Sequence, residues 1–573
     1  MVGARSFIGN LSICLSASLG LGVQLALSAT SPAPALLLRL QPGPMDIQRG
    51  LGYVDVTLTV AGADAPAGAA LLTLPIVVAN TETIADTIEN LQARDDLGIV
   101  PLTSRDDPEA LSYSRHWIAG RAVKGDLIVR YRAPIDDTPP PRGSGPPLSL
   151  RTEGGGFSGA GNNFVLLPET KQPYRIAIRW DLAALGKGAT ATSSYGDGDV
   201  EIEDGPAERL SSTAFMAGPM QREPVESGSD GFSSAWLGTP PFDPHPLMVW
   251  TRQLHAWMSQ FFRDSSIPPY RVFLRFNPIN AGGGVALTHS FLVTYNQTTD
   301  PNNIKETLAH EMVHTWTSSK IGQWYSEGNA VYYEHLLPLR AGLIGPETYL
   351  TGLNTTAARY YANILNTAPN DQIATRFWED SRIRVLPYDR GAMYFAVLNG
   401  RIRKASHGKR SIDDLVNEMI RRTRLGQPAT EEIWIELLTK EIGSDAKAIH
   451  ASMLAGGLML PESGDFGPCF SRTTTKIRRF DLGFDPKSLV GHVKTIRGAE
   501  PDSQAVKAGL RDGDIVTYAV ALDLVQSNPT QTLTLQVSRD GKTFPLTYLP
   551  RGEAVDVWQW ARVRGIPDAA CIR

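Results

Sequence analysis

Cysteine and histidine are both scarce in this chain, with three and ten in 573 residues. Two of the cysteines, Cys469 and Cys571, lie far apart with no histidine nearby. That excludes a paired thiolate metal site, and neither resembles a nucleophile. No charge of one sign is in excess. The formal net charge is −4 and there is no long basic run, so a nucleic-acid footprint is absent. Past the first thirty or so residues no stretch is apolar enough to cross a bilayer. No period marks a solenoid repeat. The remaining composition is ordinary for a globular protein, 42% hydrophobic and 20% charged. The length exceeds one core and predicts roughly three domains.

The first 29 residues differ from the rest. Arg5 precedes an apolar stretch from Leu11 to Leu27, and small residues follow. This reads as a secretory signal peptide, 1–29, cleaved near Ala29 or near Ala35. Bulky Ile13 before Cys14 argues against lipidation, and Gln24 with several Gly and Ser makes the run a poor permanent span. A periplasmic or secreted location is expected. Cys469 and Cys571 then remain, either as one disulfide in an oxidising compartment or as two buried thiols.

Residues 36–235 read as β. Tyr53–Val60, Leu127–Arg132 and Tyr174–Trp180 alternate at period two. Residues 236–462 begin with a helical run, Pro246–Phe262, and strands at Arg271–Phe276 and Leu287–Tyr295, then turn helical. Ser411-Ile412-Asp413-Asp414 reads as a helix cap. Residues 463–573 return to β, with a hairpin turn at Arg539-Asp540-Gly541-Lys542.

Two of the few histidines fall in one pentad, His310-Glu311-Met312-Val313-His314, and Trp324-Tyr325-Ser326-Glu327-Gly328 comes after it. Helical positions i and i+4 share a face, so both imidazoles can point at one metal ion. Glu311 can reach a water there as general base. Glu327, on a second helix, supplies a third ligand. Three protein ligands leave a position open, which separates a catalytic zinc site from a structural one. A chance match on a surface helix would look the same locally. Against it, Asp300-Pro301 reads as a cap and first turn, and Ile304, Leu308, Met312 and Trp316 recur at fours. Gly328–Leu339 predicts the second helix. Glu334 and Asp389 are candidates for orienting the imidazoles. Trp316 and Trp324 are expected to be core aromatics beneath the site.

In order and spacing these features resemble the glycyl aminopeptidase family of gluzincin metallopeptidases. The resemblance is carried by the pentad, by Trp324–Gly328, by Pro387-Tyr388-Asp389-Arg390-Gly391-Ala392, and by the tail around Asp481-Leu482-Gly483-Phe484 and Ala508–Ile515. It covers nearly all of the chain after the signal segment. It implies a multidomain α+β fold: an N-terminal β-sandwich-like domain, a thermolysin-like (gluzincin) catalytic domain with a helical lobe, and a C-terminal PDZ-like β domain. It implies one Zn2+ per chain, held by His310, His314 and Glu327, with Glu311 as general base. Tyr388 matches the tyrosine that hydrogen-bonds the oxyanion in related aminopeptidases.

Two departures stand out. Only twelve residues, 315–326, separate His314 from Glu327, fewer than the family's usual gap. The family's edge strand carries Gly-Gly and then a Glu-His pair. Here Gly282-Gly283-Gly284-Val285-Ala286-Leu287-Thr288-His289 keeps glycines and a histidine but has no Glu. Gly283, Gly284, Val285 and His289 are the substrate-binding positions this match implies, with His289 alternatively a plain strand residue. In related aminopeptidases the missing Glu binds the substrate's free amine. Another acid, Asp389 or one from the N-terminal domain, is then needed.

Leu482-Gly483-Phe484 resembles the carboxylate-binding loop of PDZ domains, which implies a peptide C-terminus as partner, with packing on the catalytic domain as the alternative. The chain therefore reads as a secreted or periplasmic zinc aminopeptidase acting on short peptides. A zinc endopeptidase or other zinc hydrolase is one alternative. A peptide-binding protein using the PDZ-like module is another.

Overall fold

Period-two alternation buries every second side chain along Tyr53–Val60, namely Val54, Val56, Leu58 and Val60. The neighbouring strand Ala35–Pro42 answers with Leu36, Leu38 and Leu40, paired antiparallel so that Leu36 faces Val60 and Leu38 faces Leu58. The computed structural model describes residues 33–571, apart from 47–49, 79–80, 110–111, 138–145, 227–229, 267–268, 279–280, 318–320 and 492. Residues 1–29, read above as a signal peptide, therefore lie outside the described residues. Among the described residues, no helix is long and apolar enough to cross a membrane.

These two strands belong to a seven-stranded sheet, which also holds Tyr174–Trp180 and Leu127–Pro134. A second sheet, built on Ala70–Val78 and Tyr113–Ala119, contributes Leu72, Leu74 and Trp117 to the same core. Two sheets sharing one apolar layer form the expected sandwich-like part. A third sheet includes Gly156–Ala160 and Ala214–Gly218. Its Ala214 and Met216 pack against Phe273 and Leu292.

Phe273 and Leu292 belong to the sheet beneath the metal-bearing helix. That sheet runs Gln221–Glu223, Phe232–Trp236, Tyr270–Phe276, Ser290–Tyr295 and, at the edge, Gly284–Leu287. It thus recruits residues from 221 onward, earlier than the boundary at 236 drawn from the sequence. The three inner strands are parallel and the edge strand is antiparallel. The single strand expected over Leu287–Tyr295 is instead a hairpin turning at Thr288 and His289, with His289 at φ +49°.

Helices cover this sheet. Asp300 caps Pro301–Thr317, its Oδ1 accepting from the Asn302 amide at 2.9 Å. Ile304, Leu308 and Met312 are fully buried on its inner face. At about 1.5–3 kcal/mol for each buried side chain of this size, that stripe fixes the helix's rotation. Trp316 and Trp324 are buried in the same core, as expected. The Ser411 cap is a full capping box with Asp414 ahead of Ile412–Arg424.

The C-terminal segment is tied at its base. Its first strand, Phe470–Phe480, pairs antiparallel with its last, Arg551–Arg562. Cys469 and Cys571 are joined by a disulfide. Asn354 of the helical lobe accepts from the Trp560 amide at 2.8 Å and donates to its carbonyl at 2.9 Å. Phe470, Val557 and Trp560 therefore belong to the core of the helical lobe. Beyond this ribbon the module has its own core around Phe484, Ile496, Val525, Leu535 and Val537. The hairpin predicted at Asp540-Gly541 joins Leu533–Arg539 to Lys542–Tyr548, with both turn residues at positive φ.

The loop Leu482-Gly483-Phe484 differs from the expectation. Gly483 donates its amide to Asp481 at 2.9 Å, and Leu482 and Phe484 are buried in the module's core. The chain then enters a short 3-10 turn, Pro486–Leu489, where an added peptide would need a strand. A terminal carboxylate would find the central amide already engaged, and residues 485–491 after the loop form no strand.

Candidate active site

His310 and His314 project from the capped helix, one turn apart. Glu327 comes from the next helix, Gln323–Arg340. Its Oε2 lies 3.3 Å from Nε2 of His310 and 3.3 Å from Nε2 of His314. A tetrahedral ion with bonds of about 2.0–2.1 Å has ligand-to-ligand edges of about 3.3 Å, which both Glu327–histidine spacings match, and the three ligand atoms all lie within 4.8 Å of one another. The donor set of two imidazoles and one carboxylate is one that catalytic zinc takes.

The surroundings favour a cation. Burial works against the charge on Glu327, yet hydrogen bonds with His310 and His314 hold its carboxyl far below the usual range. Burial opposes protonation of His310, but Glu327 and Glu334 outweigh it and draw positive charge to the ring. Glu334 is the orienting partner anticipated from sequence: its Oε2 lies 2.8 Å from Nδ1 of His310. A proton held on Nδ1 leaves the Nε2 lone pair facing the ligand position. Ser326 Oγ lies 3.3 Å from Nδ1 of His314.

Glu311 points into the same cleft, and burial pushes its carboxyl up while both imidazoles oppose the shift. Tyr388 stacks on the His310 ring with centroids 5.9 Å apart and planes 18° from parallel. Burial, reinforced by Glu327 and Glu311, keeps its phenol protonated and so able to donate.

Two glycines bring these groups together. A Cβ on Gly328 would lie 2.6 Å from Cα of Gly391, and one on Gly391 would lie equally close to Cα of Gly328. The helices Gln323–Arg340 and Leu386–Ala405 therefore meet backbone to backbone, directly beside Glu327 and three residues from Tyr388. This gives a physical reason for the glycine in each of the two motifs.

Other expected positions separate. Asp389 is fully buried and engages Arg359 through both oxygens, with Nε at 2.9 and 3.0 Å. It orients neither imidazole and is not available to an amine. Gly282, Gly283 and Gly284 line the cleft beside His310. Val285 instead turns its side chain toward Phe273 and Leu292. His289 sits at the far turn of the hairpin, edge-on to Tyr195 of the β part at 6.3 Å, and burial lowers its pKa. Neither Val285 nor His289 lines the cleft.

Sequence reasoning missed Glu306. It lies one turn before His310, so the i, i+4 spacing that found the histidines also puts it on their face. Its half-exposed carboxylate lines the cleft. Its partner is His335, 3.7 Å away, which against burial holds the carboxyl down at about 2. The cleft of about 450 Å³ is completed by Pro146 and Pro147 from the β part, by Phe377, Trp378 and Arg384, and by Ala521, Asp523 and Leu524 from the C-terminal module.

No family model matches this sequence, and no curated protein matches it. Solved structures do. An aminopeptidase N family protein from Idiomarina loihiensis superposes with a TM-score of 0.62 at 15% identity, covering 91% of this chain and 97% of that one. An M1 zinc metallopeptidase from Deinococcus radiodurans matches with a TM-score of 0.44 at 16% identity, over 75% of this chain and 94% of that one. The first likeness extends over almost the whole of both chains and establishes a shared fold: a β-rich N-terminal part, then a sheet and a helical lobe.

Proposed function

We propose that this chain is a zinc aminopeptidase. The observation that carries the reading is the convergence of His310, His314 and Glu327, the Glu327 carboxylate lying 3.3 Å from each imidazole, with Glu311 and Tyr388 opening onto the cleft beside His310. Its structural likeness to an aminopeptidase N family protein supports the reading at the level of fold.

When bound, zinc supplies the Lewis acidity that polarises a carbonyl and eases deprotonation of an attacking water. Glu311 takes that water's proton and passes it to the leaving amine. Tyr388 donates its phenolic proton in a hydrogen bond to the carbonyl oxygen as negative charge gathers there. Gly284–Leu287 is the sheet's edge, so its outer backbone groups accept an extended substrate as a further strand. Glu306 receives the substrate's ammonium, in place of the carboxylate missing from the 282–289 stretch. A partly desolvated ammonium needs such a partner. The disulfide suits an oxidising compartment, which agrees with the secretory reading of residues 1–29.

The absent Glu is also what favours the second reading, a zinc endopeptidase. A panel of short peptides with free and N-acetylated termini separates the two. An aminopeptidase cleaves the free set and leaves the acetylated set essentially intact. Glu311→Gln should keep its zinc while turnover falls by about 10²–10⁴-fold. Equal cleavage of both sets establishes the endopeptidase, and chelator-insensitive cleavage removes both readings.

A further inference from the structure

One wall of the cleft comes from the C-terminal module. The helix Leu522–Ser527 turns Leu522 and Val525 into the module's own core. Its other face meets the helical lobe. Asp523 accepts from Arg384 through both oxygens, at 2.7 and 3.0 Å. Ser527 accepts from Arg359 at 2.7 Å, and Arg359 in turn holds Asp389, the residue after Tyr388. Two partly buried guanidinium groups thus clamp this short helix to the segment that carries Tyr388. The ribbon and its disulfide hold the module's base against the lobe.

The clamp leaves Leu524 over the cleft. The residue is 48% exposed, and it shares the cleft wall with Ala521, Phe377 and Trp378. The charged groups nearby are engaged with each other, Arg384 with Asp523 and Arg359 with Asp389. This wall therefore offers a substrate apolar surface without a free charge. The same cleft is also lined by Glu306, Glu334 and the ligand residue His310.

We infer that Leu524 and Ala521 of the C-terminal module, with Phe377 and Trp378, form the side-chain pocket of the active site and select peptides carrying a bulky apolar or aromatic residue beside the scissile bond. The inference rests on the peptidase reading and specifies its substrate class. The module then acts as part of the enzyme's recognition surface.

The test uses the full zinc-loaded chain and free-amine peptides with Phe or Ala at each position flanking the scissile bond. The wild type should favour Phe over Ala at one of the two positions by at least about tenfold in kcat/KM. Leu524→Asp should abolish that ratio and Leu524→Ala should reduce it, with zinc content and melting temperature unchanged because the side chain is half-exposed. The same peptides are titrated calorimetrically onto Glu311→Gln with and without Leu524→Asp, so binding is read without turnover. A Phe-to-Ala ratio that neither substitution moves, or no Phe preference in either readout, overturns the pocket while leaving the peptidase reading intact. Loss of all peptide cleavage in the wild type overturns the peptidase reading, and the calorimetric ratio still decides the pocket.

Discussion

Replacing Glu334 by alanine tests the metal site through a residue that does not touch the metal. The carboxylate is only 6% exposed and lies 2.8 Å from Nδ1 of His310. It holds one tautomer, with the proton on Nδ1 and the lone pair of Nε2 turned toward Glu327 and His314. Without it the ring populates both tautomers and rotates more freely. Nε2 also becomes a weaker donor, since no carboxylate offsets charge withdrawn by the ion. Supports of this kind are worth about 10–100-fold in metal affinity. That corresponds to about 1.4–2.8 kcal/mol at roughly 1.4 kcal/mol per factor of ten. Glu334→Gln keeps an acceptor oxygen for the Nδ1 proton and should fall at the weaker end of the range. Zinc affinity is measured by competition with a chromophoric chelator. Thermal unfolding with and without zinc gives an independent reading, because stabilisation by a ligand shrinks by the free energy its affinity loses. A folded Glu334→Ala protein that binds zinc within twofold of wild type refutes the assignment of Nε2 as the ligand atom and Glu334 as its support.

Three further outcomes are expected. Tyr388→Phe removes one donor to the developing oxyanion and should lower kcat by about 10²–10³-fold with zinc affinity unchanged; an unaltered kcat rejects that role. The Cys469–Cys571 bond closes a loop with a sequence separation of 102, so reduction or Cys469→Ser should cost up to about 4.7 kcal/mol in denaturant unfolding, and no loss would mean the ribbon holds unaided. Burial opposes protonation of His116, but Glu169 and Asp107 outweigh it and raise its pKa above the ordinary 6.5. The stability it contributes is therefore complete below about pH 6.5 and lost as pH rises through the higher folded value. His116→Gln should flatten the stability profile between about pH 6 and 8, and an unchanged slope would count against the pair.

How much of this site is legible in the sequence depends on distance along the chain. His310, Glu311 and His314 are one helical turn, and i, i+4 geometry is local, so their shared face follows from spacing alone. Glu306 obeys the same rule, but it stands outside the pentad that makes the histidines conspicuous. Glu327 and Tyr388 are recognisable as motif members, yet what makes them meet is the contact of Gly328 with Gly391, which no local pattern announces. Asp389 shows how narrow the inference is. One residue beyond Tyr388, it points about 100° around the helix and is spent on Arg359. Val285 and His289 fail as cleft residues for comparable reasons: Val285 packs against Phe273 and Leu292, and a turn inside the expected strand puts His289 at the far end of the hairpin. The least legible part is the wall formed by Asp523 and Leu524. Arg384 and Asp523 are 139 residues apart, and neither stands in a periodic pattern that predicts the other. On the proposed reading, the groups for hydrolysis are thus compressed into a few turns of helix, where spacing reveals them. The cleft to which substrate choice is assigned above is assembled from the β part, the helical lobe and the C-terminal module, and is readable only once the chain has folded. Substitutions in the pentad and in Leu524 should accordingly separate turnover from selectivity.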